Sequence, residues 1–158
     1  MTAPDVQQRE FSSSDVCRMA GVTLRQLQWW DERGIFSPQQ EGRRRLYESS
    51  GAIAMMVIAE LRRKGVSLQK IRRLTRTIRR EIDRRQKELI AGKPEVFLLT
   101  DGKGTHFEDD PARVIDLLKR SRKPFLLISI SDQARRMAEF RQIDSGPARR
   151  QKRQLDLF

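Results

Sequence analysis

Cysteine and histidine are almost absent from this chain, which has one of each, Cys17 and His106, among 158 residues. One cysteine cannot form an internal disulfide, and one histidine is a poor basis for a transition-metal site, which needs several such ligands. The sequence also lacks a phosphate-binding glycine loop, a spaced set of carboxylates and a Cys–His pair suited to nucleophilic catalysis. We therefore expect a protein that is not an enzyme and that has no metal or other cofactor.

Long apolar runs are also missing. No segment is long and apolar enough to cross a bilayer, and the first residues lack the apolar stretch of a secretory signal. We expect a cytoplasmic protein with no membrane partner. Cys17 could be a buried small side chain or a redox-sensitive thiol. Its place beside Val16, on the inner side of the first predicted helix, favours burial.

Positive charge is what the chain has in excess, with 33 Lys and Arg against 21 Asp and Glu and a net charge of +12. Residues 11–91 hold 18 basic and 9 acidic side chains, residues 92–134 hold 7 of each, and residues 135–158 hold 7 and 3. A basic segment over residues 11–91, followed by a neutral one over 92–134, favours a protein whose N-terminal part binds a polyanion such as nucleic acid. The alternative is that the basic helices are simply solvated.

Residues 11–34 have the pattern of a helix-turn-helix. The polar residues 12–15 can cap a first helix, and Gly21 permits a tight turn because it has no Cβ to oppose a positive φ. Thr23 can cap a second helix, which Gly34 can end in the left-handed conformation. This order and spacing are typical of DNA-binding proteins in which the second helix enters the major groove.

The second helix and a following basic hairpin, the predicted wing, carry the candidate DNA contacts. Arginine can bind guanine, and glutamine adenine, through two parallel hydrogen bonds, while wing arginines suit phosphate and minor-groove contact. Trp29 could contact the backbone or pack against the wing, Trp30 has the spacing of a core residue, and Tyr47 could bind a phosphate or close the wing core. The candidate DNA-binding residues are Thr23, Arg25, Gln26, Gln28, Trp29, Trp30, Arg43, Arg44, Arg45 and Tyr47.

An apolar stripe with spacings of three and four predicts one long helix over residues 67–91. The stripe is too narrow for a globular core and is typical of a seam between two helices, which favours a dimer of two chains. The predicted dimer interface consists of Ile71, Leu74, Ile78, Ile82 and Leu89.

The whole pattern predicts a mainly α fold, in which a winged helix-turn-helix is followed by a long dimerisation helix and a small α/β C-terminal module. In that module we expect strand, turn, strand, helix and strand, with Asp109 or Asp110 as a helix cap instead of a cation ligand. The predicted segments are a disordered N-terminus over 1–10, the winged helix-turn-helix over 11–66, the long helix over 67–91, the α/β module over 92–132 and a basic flexible tail over 133–158. We expect the tail to be helical at first, from Arg135, and to lose that structure at Gly146 and Pro147.

Residues 22–35 (VTLRQLQWWDERGI) resemble the signature of the MerR family of transcription regulators, and residues 44–47 and 65–71 resemble its wing motif and the element after it. The resemblance covers about residues 11–91. It implies a sequence-specific regulator, associated with the bacterial nucleoid, that binds a palindromic operator in double-stranded DNA as a homodimer, with RNA polymerase as a further candidate partner. Departures from the family pattern are Gln28 for Arg, a Trp-Trp pair for Tyr-Tyr, and Arg44 for the wing Tyr. The resemblance implies base or backbone contacts for Thr23, Arg25, Trp29, Trp30, Arg45 and Tyr47.

The segment Gln154, Leu155, Asp156, Leu157 and Phe158 resembles the peptide motif by which bacterial replication and repair proteins dock on the sliding clamp. Two leucines and a phenylalanine have no evident role in a basic, solvated segment, and we take the five residues as candidate partner-docking residues. They give an alternative function, a DNA-binding adaptor in replication or repair that binds the sliding clamp. The segment could instead fold back onto the α/β module.

Overall fold

This computed structural model describes residues 10–41 and 44–144, which form helices and short strands. The elements of the first half are β1 (Glu10–Ser12), α1 (Ser13–Ala20), α2 (Leu24–Glu32), β2 (Gln39–Glu41), β3 (Arg44–Glu48) and α3 (Ser49–Arg63). Those of the second half are α4 (Leu68–Arg84), α5 (Gln86–Ala91), β4 (Phe97–Thr100), β5 (Thr105–Glu108), α6 (Pro111–Arg120), β6 (Leu126–Ser129) and α7 (Ile130–Asp144).

Helix α1 begins with a reciprocal cap, as the sequence predicts. The amide of Asp15 donates to the Ser12 hydroxyl at 3.1 Å, and the amide of Ser12 donates to the Asp15 carboxylate at 3.1 Å. This capping box satisfies two amides that have no partner inside the helix. Gly21 ends the helix with φ 70°, so the predicted glycine turn between α1 and α2 is confirmed.

The first sheet is antiparallel with the strand order β1-β3-β2. Phe11 of β1 faces Tyr47 of β3 in the register, and both side chains are buried. β1 starts at Glu10, so the N-terminal segment predicted to be disordered is too long by that residue; residues 1–9 lie outside the described part of the chain. The strand brings the start of the chain against the hairpin formed by β2 and β3.

Helix α3 is buried around most of its circumference, and α1, α4, α7 and β3 pack against it. A helix that is apolar on all sides has to be covered on all sides, so α3 forms the centre of the fold. Its buried residues are Ser49, Ser50, Ala52, Ile53, Ala54, Met55, Met56, Val57, Ile58, Ala59 and Leu61.

The helix predicted over residues 67–91 is interrupted at Arg85, which has φ −104° and ψ 18° and separates α4 from α5. The apolar spacing continues across this break, so the periodicity gave no sign of it. The Arg85 guanidinium lies within ion-pair distance of three carboxylates, those of Glu81, Glu88 and Asp109. These ion pairs anchor the junction of the two helices to the loop before α6.

The apolar stripe of α4 and α5 faces the core of its own chain. Ile71, Leu74, Ile78, Ile82 and Leu89 are between 0% and 4% exposed, and α4 packs along α3. Side chains this deeply buried have no surface to offer a second copy, so their assignment to a dimer interface is corrected. The periodicity identified the buried face but could not say which helix covers it.

The second sheet is antiparallel with the strand order β5-β4-β6, and α6 lies between β5 and β6 in the sequence. The order strand, turn, strand, helix and strand is the predicted one. Asp110 caps α6, since its carboxylate accepts from the amide of Ala112 at 3.0 Å. Leu98, Phe107 and Ile128 share one face of the sheet in the register and join the core around α3.

Helix α7 crosses the predicted boundary between a module over 92–132 and a flexible tail over 133–158. Ile130, Ala134 and Met137 are buried in the same core as α3. The helix expected at the start of the basic segment, from Arg135, is thus confirmed. Because α7 packs in this core, the second half of the chain is continuous with the first instead of forming a separate module. Residues 145–158 lie outside the described part of the chain.

Replacing Ile78 by alanine should lower the free energy of unfolding by about 2–5 kcal/mol, because the change leaves a cavity in the core. Gln69→Ala, on the exposed side of the same helix, is the matched control and should change it by less than about 0.5 kcal/mol. Urea denaturation followed by circular dichroism measures both. An unchanged unfolding midpoint together with a changed sedimentation coefficient would indicate that Ile78 instead lies at an interface between copies.

Candidate nucleic-acid interface

The first turn of α2 is fixed by a second capping box. The Gln26 amide donates to the Thr23 hydroxyl at 3.1 Å, and the Thr23 amide donates to the side-chain oxygen of Gln26 at 3.0 Å. Both residues were predicted DNA contacts, and both have a structural role at the helix start. The side-chain NH2 of Gln26, which has no partner among the described residues, is the group left to bind a base or a phosphate.

Three of the predicted contact residues share the exposed side of α2. Arg25, Gln28 and Trp29 are exposed and lie three or four residues apart, so their side chains neighbour one another on the helix surface. The Arg33 guanidinium lies 4.9 Å from the centre of the Trp29 ring. The sequence prediction missed Arg33, although its spacing of four from Trp29 would have indicated this cation–π contact.

Trp30 and Tyr47 are 3% and 2% exposed, so the structure gives neither side chain a surface for DNA. Of the alternatives that the sequence left open, packing in the core is correct for Trp30, and closing the core of the wing is correct for Tyr47. Tyr47 stacks on Phe36 with ring centres 5.9 Å apart. Burial, together with the nearby carboxylate of Asp31, raises the pKa of Tyr47 to about 12.

The hairpin of β2 and β3 is joined to α2 by an ion pair. Nη1 of Arg45 lies 3.1 Å from Oδ2 of Asp31, and both side chains are partly buried. Arg45 therefore positions the hairpin against the second helix, a role that the sequence prediction did not include. Arg43 and the side chain of Arg44 lie outside the described residues.

Two arginines from distant elements bind the C-terminal carbonyls of α1. Arg63 of α3 donates to the Ala20 carbonyl at 2.7 Å, and Arg136 of α7 donates to the Met19 carbonyl at 3.2 Å. These carbonyls have no partner within the helix, and a positive charge at a helix C-terminus also complements the helix dipole. Glu60 accepts from Arg63 at 2.8 and 3.2 Å, and this interaction lowers the pKa of Glu60.

The residues that could have indicated other chemistry have structural explanations. Cys17 is buried, and burial raises the pKa of its thiol, which supports the interpretation as a small core residue. His106 is exposed on β5 and its ring contacts Phe125 edge-on at 5.7 Å. Within residues 10–41 and 44–144, the carboxylates, cysteine and histidine form no group of three that could hold a metal ion.

No helix in the described residues has the length and apolar character needed to span a membrane. What the fold presents is a capped helix pair with a tight glycine turn, an exposed polar face on the second helix and a β-hairpin after it. This arrangement defines the class of helix-turn-helix DNA-binding proteins. The exposed face of α2 carries arginine and glutamine, which are side chains able to hydrogen-bond base edges in the major groove.

Residues 11–78 match the model of a protein family described as MerR HTH family regulatory protein. This segment is therefore similar to the helix-turn-helix of MerR-family regulators, and the match supports a DNA-binding transcription regulator. The matched segment runs from β1 into α4 and ends before α5, so the second sheet, α6 and α7 lie outside it. No curated protein matches the sequence.

Glu60→Gln should destabilise the protein at about pH 7 and have little effect at about pH 3. The pKa of Glu60 is lower in the folded chain than its ordinary value, so the charged form stabilises the fold above the ordinary pKa. That contribution is lost as the pH falls through the folded pKa. Because the pair with Arg63 is partly exposed, we expect a loss of at most about 1 kcal/mol.

Urea denaturation of the wild type and the variant at the two pH values measures this difference. Glu32→Gln, an exposed carboxylate on α2, is the matched control and should be nearly neutral at both. A loss for Glu60→Gln that is the same at both pH values would show that the charge of Glu60 does not stabilise the α1–α3 contact.

Proposed function

We propose that the protein is a sequence-specific transcription regulator that reads duplex DNA with the exposed face of α2. The observation that carries this proposal is the division of α2 into two sides. Leu27 and Trp30 fix one side in the core, while Arg25, Gln28 and Trp29 project from the other. A recognition helix needs this division, because base contacts require polar side chains whose position is set by a rigid support.

The proposed contacts follow from the chemistry of the exposed groups. Arg25 binds a guanine edge, Gln28 binds an adenine edge, and the NH2 of Gln26 binds a neighbouring acceptor. Trp29, with Arg33 stacked on its ring, contacts the sugar-phosphate backbone. Gln28 stands where the family has arginine, so we expect a base preference at that position different from the family's.

We also propose that two copies bind a palindromic operator, as the resemblance implies, with half-sites about one helical turn apart. The stripe on α4 and α5 is buried within each chain, so the two copies would meet through another surface. Remodelling of promoter DNA for RNA polymerase and association with the nucleoid belong to the same proposal.

Arg25→Ala should weaken binding to the preferred site by about 1–3 kcal/mol and relax the base preference at one position in each half-site. The preferred site is first selected from a pool of random duplexes, and competition with base-substituted duplexes then measures the preference. Arg113→Ala, which removes the same charge from an exposed position on α6, should leave the preference unchanged.

Sedimentation of the complex with the selected duplex measures its stoichiometry, which should be two chains per duplex. Equal losses on every sequence for Arg25→Ala would make Arg25 a backbone contact. Failure to select any preferred sequence would overturn the proposed function as a whole.

A second candidate function is supported by Gln154, Leu155, Asp156, Leu157 and Phe158, which lie outside the described residues. All five types match the clamp-docking motif, in which apolar side chains fill a pocket and the glutamine sets the register by hydrogen bonding. The protein would then be a DNA-binding adaptor that meets the sliding clamp during replication or repair. The two functions are compatible, since one uses α2 and the other a different segment.

Leu157→Ala and Phe158→Ala should each weaken binding to a purified bacterial sliding clamp by about 2 kcal/mol or more, as expected for apolar anchors in a pocket. Fluorescence anisotropy with the full chain measures this, and DNA binding should be unchanged in both variants. Arg153→Ala, beside the motif, is the control. No detectable binding of the wild type to the clamp would remove this candidate.

A further inference from the structure

The outward face of α4 is strongly basic. Arg72, Arg73, Arg76, Arg79 and Arg80 are all exposed, opposite the stripe that packs on α3. These arginines have neither an ion pair nor a side-chain hydrogen bond to any described residue, and Arg79 packs on an aromatic ring. We call these five residues the α4 basic face.

The lack of ion pairs on this face is a local property. Outside this face, carboxylates form ion pairs with Arg18, Arg45, Arg63, Arg84, Arg85, Arg120 and Arg135. Like charges three and four residues apart destabilise a helix by about 0.2–0.5 kcal/mol per pair. The α4 basic face therefore weakens the helix by itself and is better explained by a negatively charged partner.

The spacing of the charges fits duplex DNA. Arg73, Arg76 and Arg80 lie three and four residues apart, so they form a row along one side of the helix. A separation of seven residues corresponds to about 10.5 Å along the helix axis. One DNA strand carries a phosphate about every 3.4 Å of duplex axis, so about three phosphates lie along the same length. Arginine is also the side chain best suited to phosphate, which it binds through two parallel hydrogen bonds.

The α4 basic face continues from the helix-turn-helix. The Arg79 guanidinium lies 4.3 Å from the centre of the Phe36 ring, and Phe36 belongs to the segment that connects α2 to the hairpin. One end of the face is thus fixed beside the DNA-reading unit, and the other end extends along α4.

We propose that the α4 basic face is a second DNA-contacting surface, which binds the phosphate backbone of duplex DNA without reading its sequence. The contact raises affinity for any duplex, and α2 selects the site within it. The proposal does not depend on sequence selection by α2, since backbone binding is independent of the base sequence.

The test combines three exposed changes, Arg73→Gln, Arg76→Gln and Arg80→Gln, which keep good helix-forming residues. Binding to a mixed-sequence duplex several helical turns long is measured by anisotropy at about 50 to 200 mM salt. Loss of three phosphate contacts should make the slope of log K against log salt shallower by about 2.7. The wild-type affinity should then fall about 40-fold more than that of the variant over this range.

A matched variant with Arg113→Gln, Lys119→Gln and Arg122→Gln loses the same charge from exposed positions at and after α6. It should keep the wild-type slope. Circular dichroism and the thermal midpoint confirm that each variant is folded, and Arg76→Gln alone should change the slope by about 0.9.

An unchanged slope for the α4 variant, or the same change in both triple variants, would overturn the proposal and leave the α4 basic face as solvated surface. Selection from the pool of random duplexes separates this result from the proposed function. A change of slope in the α4 variant together with failure to select any preferred sequence would support the backbone surface while rejecting the regulator.

Discussion

From Ala52 to Ala59, helix α3 is apolar on every side, and the other elements are arranged to cover it. Met55, Met56 and Val57 follow one another at about 100° around the helix axis, so they lie on different sides, and all three are fully buried. Helices α1, α4 and α7 and strand β3 pack against this helix and bury it. The apolar stripe of α4 therefore packs against α3 of the same chain. Its charged side must consequently face outward, which is why the arginines of α4 are displayed together.

The local elements could be predicted because their signals are local. Ser12, Thr23 and Ser67 begin helices as side-chain caps, and Gly21 and Gly34 adopt the positive φ that their positions require. Each of these effects depends on a few neighbouring residues, so the sequence contains all the information. The same holds for the polar exposed side of α2, which follows from helical spacing.

The partners of the apolar faces could not be predicted in the same way. Periodicity tells that Ile71 and Ile78 are buried, but a helix of the same chain and a helix of a second copy cover such a stripe equally well. The choice depends on α3, which needs the cover. For Trp30 and Tyr47 the residue-level alternatives of core packing were right, and the contacts implied by resemblance were not. The periodicity gave no sign of the break at Arg85, because one of the three carboxylates that hold it, that of Asp109, is distant in sequence.

Net charge could not separate basic residues that hold the fold from basic residues that face a partner. Arg45 contributes to the positive charge of the DNA-binding segment, yet it joins the hairpin to α2 through Asp31. Arg63 donates to a carbonyl of α1. Arg25 and Arg76 have the same formal charge, but they are exposed and have no ion pair among the described residues. Only the fold distinguishes the arginines that hold it together from the exposed ones, because it determines which oxygen atoms each guanidinium can reach.

The folded unit extends beyond the segment that matches the family model. Residues 11–78 contain the helix-turn-helix, but Arg136 of α7 binds the Met19 carbonyl at the end of α1, directly before the turn that orients α2. Met137 is buried in the core that also contains Trp30. Segments that share one core do not move independently as linked domains do. The orientation of α2, the proposed DNA-reading helix, therefore depends on residues 79–144 as well, because one of the two arginines that fix the end of α1 comes from α7.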